Sequence, residues 1–257
     1  MTRRDFLKLT LKGSAALTIV KGTGEILKPL ALHAAAKPVR WVFWVDTQKC
    51  IGCGFCVRAC KLENEIPFEA NVSRTWVERY IVTQGGKVYA DTPQEARNGF
   101  ISGRVDLGGG KFAEVRKEEI QKAFFVPKLC NQCDQPPCVQ VCPVGATYQT
   151  ADGVTLVDRK WCIGCGYCIM ACPYGMRFFH PLHKVVDKCN FCYHRISRGL
   201  KPACVLACPV GARQIGNWRD PADPITRRIL TQRVEVHKAE YGTKPQVYYI
   251  GLSEEVR

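Results

Sequence analysis

The chain has 257 residues, of which 37 are Lys or Arg and 23 are Asp or Glu, so its formal net charge is +14. Hydrophobic content of 46% and charged content of 23% exclude a largely disordered chain. No run of about eighteen apolar residues is present, so we expect no membrane span of its own. The charge alone would favour nucleic acid or an anionic membrane as a partner, but the 16 cysteines must be explained first.

The N-terminal segment, residues 1–36, is typical of an export signal. Residues 2–8 read Thr-Arg-Arg-Asp-Phe-Leu-Lys, which resembles the twin-arginine signal at every position, and a weakly apolar stretch follows to residue 20. Small residues at 34–36 would suit cleavage. The resemblance implies that the folded protein is exported to the periplasm. The alternative is a basic amphipathic helix at the start of the mature chain.

The cysteines fall into four groups, and none is left over. Groups one and three are spaced C-x2-C-x2-C-x3-C, group two C-x2-C-x4-C-x3-C and group four C-x2-C-x11-C-x3-C. In order, the groups are Cys50, Cys53, Cys56 and Cys60; Cys130, Cys133, Cys138 and Cys142; Cys162, Cys165, Cys168 and Cys172; and Cys189, Cys192, Cys204 and Cys208. Groups two to four end in Cys-Pro, whereas Lys61 follows group one. In the ferredoxin run, three close cysteines bind one cubane and the fourth reaches the neighbouring cluster.

The spacing has a geometric reason. A tight loop with two-residue spacers can wrap three corners of a [4Fe–4S] cubane, and glycines at 52, 54, 164 and 166 let backbone amides approach the sulfurs. We expect the fourth cysteine of each group to open a helix, and the following proline to turn the chain away.

Three other uses of cysteine compete with this interpretation. Zinc sites need two pairs of ligands around one ion. Disulfides suit an exported protein, but cysteines crowded on one loop are poor partners for each other. A thioredoxin-like motif explains a single C-x-x-C. Four [4Fe–4S] clusters are therefore the favoured interpretation.

An internal repeat predicts the architecture in chain order. Residues 45–56 are similar to 157–168, and in both copies a β-rich segment, 41–45 or 154–157, precedes the cysteine loop. We expect a duplicated unit of strand, cluster loop and helix, with a strand returning after the last cysteine. Between groups one and two, residues 71–126 alternate apolar and polar side chains and predict inserted β-hairpins. Such an insertion either shields a cluster or docks a partner.

The order of the groups, the x4 spacer of group two and the x11 spacer of group four resemble one family. It is the four-cluster iron–sulfur subunit of molybdopterin-dependent oxidoreductases, which include the dimethyl sulfoxide, polysulfide and tetrathionate reductases. The resemblance covers about residues 40–218, and residues 242–250 are similar to the polysulfide and tetrathionate branch. The family pairs group one with group four, and group two with group three.

That pairing implies four ligand sets. They are Cys50, Cys53, Cys56 and Cys208 for cluster 1; Cys189, Cys192, Cys204 and Cys60 for cluster 2; Cys130, Cys133, Cys138 and Cys172 for cluster 3; and Cys162, Cys165, Cys168 and Cys142 for cluster 4.

The implied fold is α+β, with two ferredoxin-like dicluster modules, an inserted β-hairpin region and a C-terminal extension. The predicted segments are the signal at 1–36, module A at 37–70 and 189–218, the insertion at 71–126, module B at 127–188 and the extension at 219–257.

The implied function is electron transfer without catalysis by this chain. A cubane with four cysteine ligands has no open iron position for a substrate. The resemblance implies a periplasmic relay between a quinone-reactive integral membrane subunit and a molybdopterin catalytic subunit. The alternative is the same module serving a hydrogenase, a cytochrome nitrite reductase or a sulfur-cycle quinone complex.

Two further features need no separate function. His180 and His183 flank Pro181 and are expected to be solvated loop residues. Residues 1–37 carry seven of the basic side chains, and thiolate-ligated clusters are anionic, so the basic excess is compensation rather than a nucleic-acid site. A different class, a zinc- or disulfide-stabilised binding protein with a basic surface, would be identified by iron and sulfide analysis.

Overall fold

The computed structural model describes residues 39–100 and 103–256, and the export segment predicted at 1–36 lies outside them. A three-stranded sheet supports the first cysteine loop, and β1 (Trp41–Asp46), which precedes that loop, is its middle strand. β11 (Arg213–Asn217) pairs with β1 antiparallel, and β12 (Val247–Ile250) pairs with it parallel. The C-terminal region therefore supplies a strand to the sheet that leads into the first cysteine loop.

Both faces of β1 are buried, which explains its uninterrupted apolar sequence. Phe43 and Val45 face the main core, which also contains several of the cysteines. Val42 and Trp44 face the other way and pack against the helix at Pro224–Thr231. That helix begins at an N-cap carboxylate: Asp223 Oδ1 accepts hydrogen bonds from Ile225 N at 2.7 Å and Thr226 N at 3.2 Å.

The predicted β-hairpins between groups one and two are confirmed. β2 (Thr75–Thr83) pairs antiparallel with β3 (Val88–Asp91), and β4 (Arg104–Gly108) pairs antiparallel with β5 (Lys111–Glu114). The long strand β6 (Ile120–Leu129) returns along the other edge of β2 and ends immediately before group two. The insertion is thus a sheet of order β3-β2-β6 with a second hairpin.

The remaining elements are short and follow the cysteines. The small strands form two antiparallel pairs, β7 (Thr147–Gln149) with β8 (Thr155–Val157), and β9 (Phe178–Phe179) with β10 (Val186–Asp187). The helices are α1 (Phe55–Glu63), α2 (Pro137–Gln140), α3 (Tyr167–Met170), α4 (Tyr193–Ile196), α5 (Ala203–Leu206) and α6 (Pro224–Thr231). The α+β class is confirmed, as are the strands predicted before the two similar loops.

The expectation that the fourth cysteine opens a helix is wrong. The third cysteine of each group is the second residue of a helix, and the fourth comes one turn later. Cys142, Cys172 and Cys208 lie just beyond α2, α3 and α5, where the following proline prevents the helix from continuing. Cys60 instead lies inside α1, because Lys61 allows that helix to run on to Glu63.

Candidate iron–sulfur centres

All sixteen cysteines lie in the described residues, and all are free thiols. The cysteines therefore do not form the disulfides of the alternative interpretation. Within residues 39–100 and 103–256, no three His, Cys, Asp or Glu side chains have the geometry to hold a single metal ion.

The first predicted ligand set is brought together from both ends of the chain. Cys50 interacts electrostatically with Cys56 and Cys208, and Cys56 interacts with Cys53 and Cys208. The contact exists because β11, which follows Cys208, pairs with β1, which precedes Cys50. Burial raises the pKa of the Cys50 thiol to about 11, against hydrogen bonding by Gly52 N that lowers it.

The second set forms one helical turn further along α1. Cys60 interacts with Cys189, Cys204 and Cys192, and burial raises its pKa well above the usual value. Cys60 lies one helical turn beyond Cys56 on the same face of α1. The cysteines that interact with Cys60 all come from group four, whereas Cys56 interacts with Cys53 and Cys208.

The third set lines a cavity. Cys130, Cys133, Cys138 and Cys172 line a small cavity that Pro136, Pro173 and Met176 also border. Cys133 interacts with the other three cysteines, and burial raises its pKa to about 12.

The fourth set is the least buried. Cys168 interacts with Cys138 of the third set and with Cys162, while burial raises its pKa. Cys165 is exposed, and Cys142 Sγ accepts a hydrogen bond from Thr147 N at 3.4 Å. The membership of Cys142 and Cys165 in this set stays a prediction.

These surroundings fit iron–sulfur clusters. Buried thiols with raised pKa values do not ionise alone at neutral pH, whereas bound metal removes the proton outright. In the second set, burial raises the pKa of all four thiols, and such a group suits a ligand that brings its own positive iron.

The Cys-Pro-x-Gly sequence forms a turn that points backbone amides at the sulfur of the fourth cysteine. Cys208 Sγ accepts from Ala212 N, four residues on, at 3.2 Å, and Cys142 Sγ accepts from Thr147 N, five residues on, at 3.4 Å. Gly211 adopts a φ of +62°, which favours glycine and makes the return possible. Amide donors of this kind stabilise a thiolate and raise the potential of a cluster that it ligates.

The Lys61 side chain replaces proline after group one and is buried. Its Nζ donates to Ala70 O at 2.5 Å and Val72 O at 2.9 Å, and it lies 3.4 Å from Glu95 Oε2. The lysine therefore ties the end of α1 to the insertion, a role that a proline could not perform. Its position after the cysteine was visible in the sequence, but its burial was not.

A polar network also reaches Cys60. Asn64 Nδ2 donates to Cys60 Sγ at 3.5 Å, and Asn64 Oδ1 accepts from Arg74 Nη1 at 2.5 Å. Arg74 Nη2 in turn lies 2.9 Å from Asp187 Oδ2. These residues were not predicted, because only the fold brings them next to a cysteine.

The prediction of two solvated histidines is wrong for His180. Its side chain is buried, with Nε2 3.9 Å from Asp187 Oδ2, and Nδ1 accepts from Leu182 N at 3.2 Å. Burial lowers the pKa of His180, although Asp187 acts in the opposite direction. His183 is exposed, as expected. The return of β10 beside β9 covers one imidazole and leaves the other at the turn.

The insertion covers the first cysteine loop, as expected for the first of the two roles left open by the sequence, while docking of a partner stays a prediction. A Cβ on Gly52 would lie 2.5 Å from Phe125 Cε1 of β6, and a Cβ on Gly54 would overlap the carbonyl oxygen of Ala96. Arg58 Nε on α1 also donates to Arg97 O at 2.5 Å. The loop, the helix and the insertion are therefore in direct contact.

Within residues 39–100 and 103–256, the similar loop of group three has no comparable cover. A Cβ on Gly166 would meet only the end of the Phe179 ring, at 3.3 Å. Trp161, Ile163 and Tyr167 are each at least 60% exposed beside the exposed Cys165. One of two similar loops is thus covered by described residues, and the other is exposed among them.

Two family models match the chain, and both describe a 4Fe-4S dicluster domain. One matches residues 49–146 and the other residues 121–218. Together they span all four cysteine groups. The chain therefore carries 4Fe-4S dicluster domains, as the cysteine spacing predicts.

Curated relatives cover most of the chain. The tetrathionate reductase B subunit of Salmonella typhimurium is 39% identical over 224 residues, which is 86% of this chain and 76% of that protein. The corresponding tetrathionate reductase protein of Archaeoglobus fulgidus is 42% identical over 215 residues, 83% of each chain. Protein NrfC of Escherichia coli K12 is 35% identical over 253 residues, 97% of this chain and 95% of that protein.

Proposed function

Because this chain belongs to the family of 4Fe-4S dicluster iron–sulfur proteins that includes the tetrathionate reductase B subunits, we propose that it is a four-cluster electron relay within a respiratory complex. Electrons would pass between a quinone-reactive membrane subunit and a molybdopterin catalytic subunit. The observation that carries the proposal is the set of four cysteine groups with no cysteine left over.

The proposed ligand sets are those implied by the family pairing. Cluster 1 takes Cys50, Cys53, Cys56 and Cys208; cluster 2 takes Cys60, Cys189, Cys192 and Cys204; cluster 3 takes Cys130, Cys133, Cys138 and Cys172; and cluster 4 takes Cys142, Cys162, Cys165 and Cys168. The electrostatic neighbours of Cys50, Cys60 and Cys133 support the first three sets.

The clusters supply one-electron transfer when bound. The protein holds their thiolates in fixed positions, buries half of the cysteines and donates amide hydrogen bonds to the sulfurs. Cys165 brings one ligand to the surface, next to exposed apolar side chains, where a partner's redox centre can approach.

The proposed location is the periplasm, reached by the twin-arginine route. The support is the signal-like sequence at residues 2–8. No helix in the described residues is long and apolar enough to cross a membrane. Replacement of Arg3 and Arg4 by lysine should keep the protein out of the periplasmic fraction, and unchanged export would refute this route.

Chemical analysis and co-purification test the rest of the proposal. The tagged native protein should contain roughly sixteen iron atoms and as many acid-labile sulfides per chain. It should also co-purify with a molybdopterin protein and an integral membrane protein, as identified by mass spectrometry. Zinc in place of iron would refute the clusters. A full iron content with a hydrogenase or a cytochrome as partner would favour the alternative complex.

A further inference from the structure

Two arginines occupy the same place in the repeat and are almost wholly buried. The sequence Cys-Pro-x-Gly-x-Arg ends at Arg177 in group three and at Arg213 in group four. Their exposed fractions are 4% and 1%. The turn that holds the fourth cysteine of each group thus also directs a guanidinium inward.

Arg213 lies between two proposed ligand sets. Its electrostatic neighbours are Cys56 and Cys50, from the cluster 1 set, Cys204, from the cluster 2 set, and Tyr249. Nη1 and Nη2 are buried without a hydrogen-bond partner among the described residues, and no carboxylate there forms an ion pair with this arginine. A buried guanidinium keeps its charge, so the charge needs an anionic neighbour.

Arg177 repeats the arrangement in the other pair of groups. Its neighbours are Cys138 and Cys130, from the cluster 3 set, and Cys168, from the cluster 4 set. Its Nη1 donates to Thr147 Oγ1 at 3.3 Å. Group two carries Thr147 where groups three and four carry arginine, so each pair of groups supplies one guanidinium between its two ligand sets.

We propose that Arg213 and Arg177 each serve two clusters at once, as fixed positive charges that raise the reduction potentials of both members of a pair. This inference rests on the proposed four-cluster function. Reduction adds one electron to a cluster that is already anionic with its thiolates. A permanent cation beside those thiolates stabilises the reduced form more than the oxidised form, and burial weakens the screening by water.

The test uses the full-length, cluster-loaded protein and four variants: R213Q, R213K, R177Q and R177K. Redox titration followed by electron paramagnetic resonance gives the potential of each cluster. We expect R213Q to lower the equilibrium constant for reduction at least tenfold in two clusters, which is about 59 mV for one electron. R177Q should do the same to the other two clusters. The lysine variants keep the charge and should stay closer to the wild type.

Iron content separates this inference from the proposed function. If the wild type lacks roughly sixteen iron atoms per chain, the function itself fails. If the iron is present, unchanged potentials in both glutamine variants would overturn the inference. Equal effects of lysine and glutamine, or a change spread over all four clusters, would also overturn it. Loss of about eight iron atoms from one glutamine variant, with its lysine counterpart fully loaded, would support it.

Discussion

The contact between the insertion and the first cysteine loop can be tested with two matched substitutions. Gly54 and Gly166 occupy the same position in the similar loops, with φ of +74° and +78°. Alanine at either position costs about 1–2 kcal/mol, because an L residue is strained there. Only Gly54→Ala also drives a methyl group into the Ala96 carbonyl oxygen, which adds about 1–3 kcal/mol of overpacking.

The assay is thermal loss of cluster absorbance in the loaded protein, at a fixed scan rate because such unfolding is irreversible. A difference of about 2 kcal/mol corresponds to about 6 °C in a domain of this size, so Gly54→Ala should have the lower transition temperature by that amount. Both variants must first show full iron content at low temperature. Equal transition temperatures, or a lower one for Gly166→Ala, would refute the reasoning that the insertion closes over this loop.

Four other outcomes are expected. Cys56→Ser should lose or convert one cluster and interrupt electron transfer, whereas His183→Ala should leave the iron content unchanged; equal mild effects would contradict the ligand set. Lys61→Met should lower the free energy of unfolding by about 2–4 kcal/mol in denaturant titrations, because two half-buried carbonyls lose their charged donor. Asp223→Ala should cost about 1 kcal/mol in the same measurement, since α6 loses its N-cap. Burial lowers the pKa of His180 below its usual value of about 6.5, so protonation favours the unfolded chain. The thermal transition temperature should therefore fall as the pH is lowered from about 7 towards 5, and it should fall less in His180→Gln.

The local units could be predicted from the sequence because their signals are local. Cysteine spacing and the flanking glycines indicate the cluster loops, and the repeat indicates the strands before two of them. The turns at 85–86 and 108–110 likewise indicate the hairpins of the insertion. In each case the residues that form the element also carry the pattern.

The unpredicted features depend on residues that are distant in the sequence. β12 joins β1 across about two hundred residues, and no pattern in either segment specifies that pairing. The burial of His180 follows from the β9–β10 turn, and that of Arg213 from its position on β11. The arginine had one sequence signal, its recurrence five residues after the last cysteine of two groups, but only packing shows that it reaches two sets of sulfurs.

The repeat produces similar loops, and the added segments make them unequal. The insertion packs Phe125 against Gly52, whereas Gly164 at the same position of the other loop is approached only by the Lys184 carbonyl. Solvent exposure, amide donors and nearby charge all set the potential of an iron–sulfur cluster. A covered cluster 1 and an open cluster 4 would therefore differ in potential even with the same ligands at the same spacing. In the proposed relay, this difference distinguishes the two clusters, and it arises from the insertion rather than from the cysteines.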